Sequence, residues 1–191
     1  MANLSDRFAS KVDGVHDSRK NILNFVKMIE MPPPDLQIRS VHERDQEFID
    51  TLYRSTREDL LRLPMDSDFI DNLIRSQQQI HALGVQQNHP NAQTKILEFQ
   101  SQALGRMVFE HTVGDIRLID IAVLPGVQRQ GLARYMVQYL QQMAETHQAN
   151  LSLRVVKNNL KARQLYLSAG FQIVSEDALS EQMRWQAGIT L

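Results

Sequence analysis

The sequence predicts a domain of the α/β (α+β) class with a helical extension in front of it. Three observations carry this. Arg117–Val123 is a strand-like run of β-branched and aliphatic residues that leads, through Pro125-Gly126 and a short loop, into a helical pattern. Strand-like and helix-like segments alternate around it from Leu36 to Trp185. Pro32-Pro33-Pro34 divides all of this from the preceding residues, since successive prolines favour a stiff, extended chain. The division places an N-terminal helical extension and Pro-rich linker in residues 1–35, and the main domain in residues 36–191.

Composition bounds the rest. A chain of 191 residues can bury a real core without covalent staples. The net charge of -1 gives no general attraction to nucleic acid or to an anionic membrane. There is no cysteine, which excludes disulfides, thiolate metal sites and a cysteine nucleophile that could carry an acyl group. The six histidines show no i, i+4 pairing of the metal-binding kind, so no metal is expected. No apolar run reaches the length of a membrane span, and the N-terminus lacks the apolar core of a signal peptide. A cytoplasmic protein is the expectation.

Taken in order, the extension comes first. Ile22, Leu23, Phe25, Val26, Met28 and Ile29 can form one apolar helical face. Such a helix serves dimerisation or a partner, packs on its own domain, or forms a partly ordered arm, because short helices are marginal alone. Leu36–Val41 alternates as a first strand should. From Asp45 a helix follows, with Phe48, Ile49, Leu52 and Tyr53 on one face. Thr56–Arg62 leads toward Leu63-Pro64. Asp66-Ser67-Asp68 can cap a second helix whose apolar positions include Phe69, Ile70, Leu73, Ile74, Ile80 and Leu83, ending between Gly84 and His89.

Thr94–Phe99 and Leu104–Phe109 read as paired strands joined by residues 100–103, and a turn at His111–Gly114 leads to the central strand. The central strand is expected to be mostly buried on both faces. After it, Leu132, Tyr135, Met136, Tyr139, Leu140 and Met143 recur at helical spacing. Leu151, Leu153 and Val155 mark a further strand. Asn159–Ala169 is a helix, and Gly170 suits its left-handed C-terminal cap. Phe171–Val174 and Glu181–Trp185 close the list of strands.

The loop between the central strand and its helix is the chemical centre. Gly131 and the small Ala133 leave backbone N–H groups approachable, and the first turn of a helix has N–H groups without intrahelical partners. The helix dipole adds partial positive charge. Strand, tight loop and open helix N-terminus together suit a phosphate or pyrophosphate.

The spacing Gln128-x-x-Gly131-x-Ala133 after such a strand resembles the acyl-CoA pyrophosphate loop of the GNAT superfamily of N-acyltransferases. A second pattern, Asn159-x-x-Ala162-x-x-Leu165-Tyr166-x-x-x-Gly170-Phe171, resembles the C-terminal motif of the same family. Two matches in order, with a strand between them, are more specific than either alone. The resemblance spans roughly Leu36 to Trp185. Asp68–Leu97 also resembles a bacterial GNAT subgroup of unknown substrate, with a long Gln-rich second helix.

The resemblance implies a mixed, mostly antiparallel sheet, with its fourth and fifth strands splayed apart and helices on both sides. It implies acetyl-CoA as co-substrate. Ile121, Ala122 and Val123 would then line the pantetheine arm, whose amides pair with an exposed strand edge as another strand would. Gln128, Arg129, Gln130, Gly131, Leu132 and Ala133 would hold the pyrophosphate, and Asn159 would contact the cofactor arm or simply cap its helix. Tyr166 would stand near the departing thiol. The reaction implied is direct transfer of acetyl to an amine in a ternary complex. The amine must lose a proton to attack, and Asp120 is the favoured candidate to help, with Glu110 the other. A non-catalytic acyl-CoA-binding or protein-interaction module on the same fold is the alternative. The expected partners are acetyl-CoA and an amine acceptor, small molecule or protein; nucleic acid and membrane are not among them, and a homodimer is one assembly the N-terminal helix could serve.

Overall fold

The computed structural model describes residues 35–188. The N-terminal extension and its apolar face lie outside the described residues. Seven strands form one sheet: β1 (Leu36–Ser40), β2 (Ala92–Phe99), β3 (Gln102–Thr112), β4 (Asp115–Val123), β5 (Asn150–Val156), β6 (Gln172–Glu176) and β7 (Ser180–Trp185). Their order across the sheet is β1-β2-β3-β4-β5-β7-β6. Only β4 and β5 run parallel; the other neighbours are antiparallel. The helices are α1 (Gln46–Ser55), α2 (Glu58–Leu61), α3 (Ser67–Asn88), α4 (Leu132–Thr146) and α5 (Leu160–Ser168). This is the mixed, mostly antiparallel architecture the sequence implies. Most strands run one to three residues beyond their expected ends, and the short α2 forms where a plain connection was expected.

Hairpins join β2 to β3 and β3 to β4, so these three strands are adjacent in chain and space. A parallel neighbour for β4 needs a crossover, and α4 supplies it. α4 packs on one face of the sheet with α5: Arg134 donates to the Ser168 carbonyl at 2.7 Å and Gln141 to the Ala169 carbonyl at 2.8 Å. Beneath them lies the main core, with Met107, Phe109, Ile116, Met136, Leu140, Leu151, Leu153 and Met183 almost fully buried. Burying each such side chain contributes about 1.5–3 kcal/mol. Leu52, Ile70, Ile74, Ile96 and Val108 are buried outside that cluster, where α1 and α3 cover the other side.

One departure from sequence expectation and one feature the sequence left open bear on the fold. β4 is not buried on both faces; residues 119–122 are half-buried. And α3 does not bury its whole apolar set. Ile70 and Ile74 turn inward, whereas Phe69, Ile80 and Leu83 are exposed. Six apolar residues spread around a 22-residue helix cannot all face one sheet.

Candidate active site

β4 and β5 pair only from Asp115↔Asn150 to Leu118↔Leu153. Beyond Leu118 the two strands part. On its far side β4 stays paired with β3 up to Val123↔Gly105, and β5 stays paired with β7 up to Val156↔Ser180. The result is a notch in the sheet, with one edge of Ile119–Val123 unpaired. The cause is local. Val108 pairs with Asp120 but Phe109 with Leu118, so Ile119 is an extra residue, a β-bulge in β4. A bulge bends its strand and raises its twist. It also changes the side-chain phase. Ile116 and Leu118 join the main core before it and Ile121 and Val123 after it, which turns Asp120 away from that core.

Gly105 lets β3 follow β4 closely there. A Cβ on it would sit 2.9 Å from the Ala122 carbonyl oxygen and 3.2 Å from Met136 Cε. No side chain fits that space without moving backbone.

At the open end of β4 the chain turns tightly. Pro125–Val127 makes one 3₁₀ turn, absent from the sequence reading, with Val127 buried beneath it. Gln128 is extended, Arg129 has φ +62° and Gly131 φ +79°. Gly131 is the N-cap of α4 and brings no side chain to it; the first helical bond runs from the Tyr135 N–H to the Gly131 carbonyl. Among the described residues, the backbone N–H groups from Arg129 to Arg134 find no acceptor within hydrogen-bond distance. The first turn of α4 also holds no acid. A concave run of unsatisfied N–H groups at the positive end of a 15-residue helix favours an anion.

Side chains here play parts the motif alone does not show. Gln128 donates from Nε2 to the Val123 carbonyl at 3.0 Å, tying the loop to the strand end. Leu132 is buried in the core, so it can offer only its backbone to a ligand. Gln130 is half-buried, and its Oε1 is buried without a partner. Arg129 is exposed. Asn159 caps α5, its side-chain oxygen accepting from the Ala162 N–H at 3.2 Å.

Tyr166 is 5% exposed and packs its ring against Phe171. Its helix stops sharply. Phe171 N–H reaches back to the Tyr166 carbonyl and Gly170 N–H to that of Leu167, a Schellman closure that needs the φ of +87° found at Gly170. Burial pushes the phenol pKa well above its ordinary value, and the negative charge of Asp120 pushes it further. That coupling puts Asp120 in the neighbourhood of Tyr166, although one is on a strand and the other on a helix distant in sequence. The Tyr166 hydroxyl makes no hydrogen bond among the described residues.

Asp120 is itself held by Arg106 of β3, in an ion pair between Nη2 and Oδ2. Arg106 is largely buried, and its Nε has no partner. The sequence reading missed Arg106. Its signal was present: one cation inside the apolar run Leu104–Phe109, in the strand that pairs with Asp120. Glu110 is differently placed. It pairs with Arg117 on the closed part of β4, and it accepts from the Asn91 N–H at 3.2 Å and bonds His89 Nδ1 at 2.9 Å. The His89 contact holds its pKa below the usual glutamate value. Glu110 therefore fastens the α3–β2 connection, away from the notch.

Among the described residues, no three of His, Asp and Glu stand close enough to hold a metal ion. No described helix is long and apolar enough to cross a membrane.

A parted pair of parallel strands, a bare helix N-terminus beside it and a buried tyrosine from the next helix define an acyltransferase-type fold. Consistent with that, the model of the acetyltransferase (GNAT) family matches residues 49–171, more than half the chain, and the chain belongs to this family. Among curated proteins, none matches it. Solved structures of the same fold include the PaiA N-acetyltransferase of Thermoplasma acidophilum in complex with coenzyme A. It is 13% identical, with a TM-score of 0.61 over 79% of this chain and 98% of that one. The spermidine N-acetyltransferase of Vibrio cholerae, in complex with CoA and spermine, is 17% identical with a TM-score of 0.57, over 81% and 96%. The ribosomal-protein-S18-alanine N-acetyltransferase of Escherichia coli is 19% identical with a TM-score of 0.56, over 81% and 96%. At such identities the likeness establishes the fold.

Proposed function

We propose that this protein is an N-acetyltransferase that moves acetyl from acetyl-CoA directly to an amine held in the same complex. The observation that carries the reading is the notch between β4 and β5 opening beside the unsatisfied N–H groups of residues 129–134. A CoA-like molecule needs both features at once. Its pyrophosphate takes the loop amides, and its pantetheine amides take the free edge of Ile121 and Ala122. The Val123 side chain is buried and contributes packing. Arg129 adds a positive charge at the loop, and Asn159 has its amide nitrogen left for the cofactor arm. The chain holds no cysteine, so an acyl-cysteine intermediate is excluded and direct transfer is the simplest route.

In this scheme the acceptor amine attacks the thioester carbon, a tetrahedral intermediate forms, and the C–S bond breaks to release CoA thiolate. Tyr166 donates to that sulfur. Its raised pKa decides the form of the help. A thiol titrates near 8.5 and an ordinary phenol near 10, so full proton transfer from a still weaker acid runs uphill. Tyr166 therefore acts chiefly by a hydrogen bond that strengthens as charge builds on sulfur. Asp120, with one oxygen on Arg106, keeps the other for the acceptor ammonium or for a water that takes its proton.

A screen of amine classes against acetyl-CoA, with free thiol as the readout, tests the proposal. Turnover on at least one class is expected. CoA binding by calorimetry with no turnover on any class would mark the protein as an acyl-CoA-binding module.

A further inference from the structure

The sheet presents two faces at the notch, and the polar residues gather on one of them. Ile116 and Leu118 of β4, Leu151 and Leu153 of β5 and Met183 of β7 join the main core, on the side where α4 packs. Side chains alternate along a strand, so Arg117 of β4, Arg154 of β5 and Gln182 of β7 point to the opposite side. Asp120, turned from the core by the bulge, points there too. A cofactor seated on the loop before α4 comes from the core side, so its acceptor is met on the polar one.

Arg117 is the unusual group there. It is half-buried, and its one hydrogen bond among the described residues runs from Nη2 to the neutral side-chain oxygen of Gln182 at 3.2 Å. Its neighbours at the notch have acids: Arg106 holds Asp120 and Arg154 holds Asp177. Two acids stand beside Arg117 in the sheet, and both are engaged elsewhere. Glu110, its register partner on β3, bonds His89 and accepts from the Asn91 N–H. Asp115 accepts from the Ser152 hydroxyl at 2.7 Å. Arg117 reaches away from both, across β5 to β7. Register fixes where its head ends. Gln182 pairs with Arg154, the first residue of β5 past the last β4–β5 pair, Leu118↔Leu153. The guanidinium therefore rests at the floor of the notch, with Asp120 farther along the same edge. Its Nε and Nη1 have no partner among the described residues and are not sealed from solvent. A neutral amide answers little of a guanidinium's charge; a carboxylate is its matched partner, through two parallel N–H bonds.

We infer that the acceptor is an aminocarboxylate, a small molecule whose amine goes to Asp120 and the thioester while its carboxylate is taken by Arg117. This rests on the acyl-transfer reading of the notch and names the class of its second substrate. Opposite charges at the two ends of one short molecule match an acid and a cation on one face of one strand. A polyamine matches less well, because it brings a second positive charge toward Arg117.

Matched acceptors that differ only by a carboxylate make the test: lysine and cadaverine, phenylalanine and phenethylamine, 4-aminobutanoate and propylamine. With acetyl-CoA and free thiol as the readout, the acid-bearing member of at least one pair should have the higher kcat/KM. The expected ratio is about tenfold or more, as one charge-assisted contact would give. Arg117→Gln should erase that ratio through KM, leaving the acid-free member and the melting curve as they were. Arg117→Lys keeps the charge and should restore part of the ratio. An acid-free member that is equal or favoured in every pair overturns the inference. So does an Arg117→Gln variant that leaves the ratio intact or slows both members alike. Turnover confined to peptide or protein amines overturns it while acyl transfer stands. CoA binding with no turnover on any amine removes the acyl-transfer reading, and the inference with it.

Discussion

Two polar regions of this molecule differ in how completely they are satisfied. At the β1–α1 corner the largely buried charges are paired with one another. Arg39 donates to Glu98 at 2.7 Å and to both oxygens of Asp45 at 2.7 and 2.8 Å. Glu98 also accepts from Gln37, and Asp45 from the His42 N–H. At the notch the reverse holds. Six successive N–H groups, the Tyr166 hydroxyl, the Arg106 Nε and the Gln130 Oε1 find no partner among the described residues. Of these, the Arg106 Nε and the Gln130 Oε1 are buried, and an unsatisfied buried polar group costs stability. The corner closes on itself and holds β1 on the sheet. The notch stays open toward a ligand.

The comparison is broken most sharply at Tyr166. Tyr166→Phe keeps the ring on Phe171 and removes a hydroxyl that has no partner among the described residues. Stability and CoA affinity should be nearly unchanged, while turnover falls about ten- to a thousandfold. Steady-state rates on the acceptor found by screening, beside a melting curve, make the test. Wild-type turnover with chemistry rate-limiting would remove Tyr166 from the mechanism.

At the corner the expected signature is the opposite, a loss of stability with the chemistry intact. Arg39→Leu strands two nearly buried carboxylates and should cost about 3 kcal/mol. The same network sets an acid limit. The Arg39 hydrogen bonds, with further help from the His42 N–H, hold the Asp45 pKa down at about 2 against an ordinary 3.8. For Glu98, burial alone would raise the pKa, but the bonds from Arg39 and Gln37 outweigh it and the net shift is downward. A carboxylate with a lowered folded pKa stabilises the fold above its unfolded value, and that stability is lost as pH falls toward the folded value. Melting temperature should therefore drop between about pH 4 and pH 2, and Asp45→Asn should flatten that slope. An unchanged slope in the variant would assign acid lability to other groups.

The two regions were unequally legible in the sequence. The loop was readable because its chemistry depends on backbone and short spacing: Gly131, Ala133 and the strand before them are local signals. Tyr166 came with the second motif. Arg106, Ile119 and the Arg39–Asp45–Glu98 network were not read, because each depends on register between strands far apart in sequence. A bulge at Ile119 leaves no mark in residue type; it is defined only by pairing with β3. Asp120 was named for its strand, yet its link to Arg106 and Tyr166 exists only once β3, β4 and α5 meet. Which of the apolar positions of α3 are exposed was not legible for a related reason, since periodicity marks apolar positions but not how many of them the sheet can cover.

A smaller effect separates open polar groups from merely unused ones. Gly131→Glu brings a side chain and a negative charge to the anion loop, at a residue whose φ of +79° disfavours any Cβ. CoA affinity should fall by about tenfold or more, as one unfavourable charge contact of 1.4 kcal/mol would give. Calorimetry on a folded variant is the check. Unchanged affinity would take the loop out of the binding model.

The smallest expected effect comes from the matching helix start that is closed. Asp66 caps α3, its Oδ1 accepting from the N–H groups of Asp68 and Phe69 at 2.9 and 3.1 Å. Here the helix supplies its own anion, where α4 leaves the position to Gly131. Asp66→Ala removes the cap and should cost about 1 kcal/mol. It should leave CoA affinity untouched, because the start of α3 carries none of the candidate site residues. Denaturant midpoints on wild type, Asp66→Ala and Gly131→Ala give the pair of readings. Asp66→Ala should lose stability alone. Gly131→Ala should lose stability through backbone strain and some affinity through a distorted loop. If both variants moved affinity equally, the open N-terminus of α4 would have no special standing over the capped one of α3, and the anion would have to be held by side chains such as Arg129 instead.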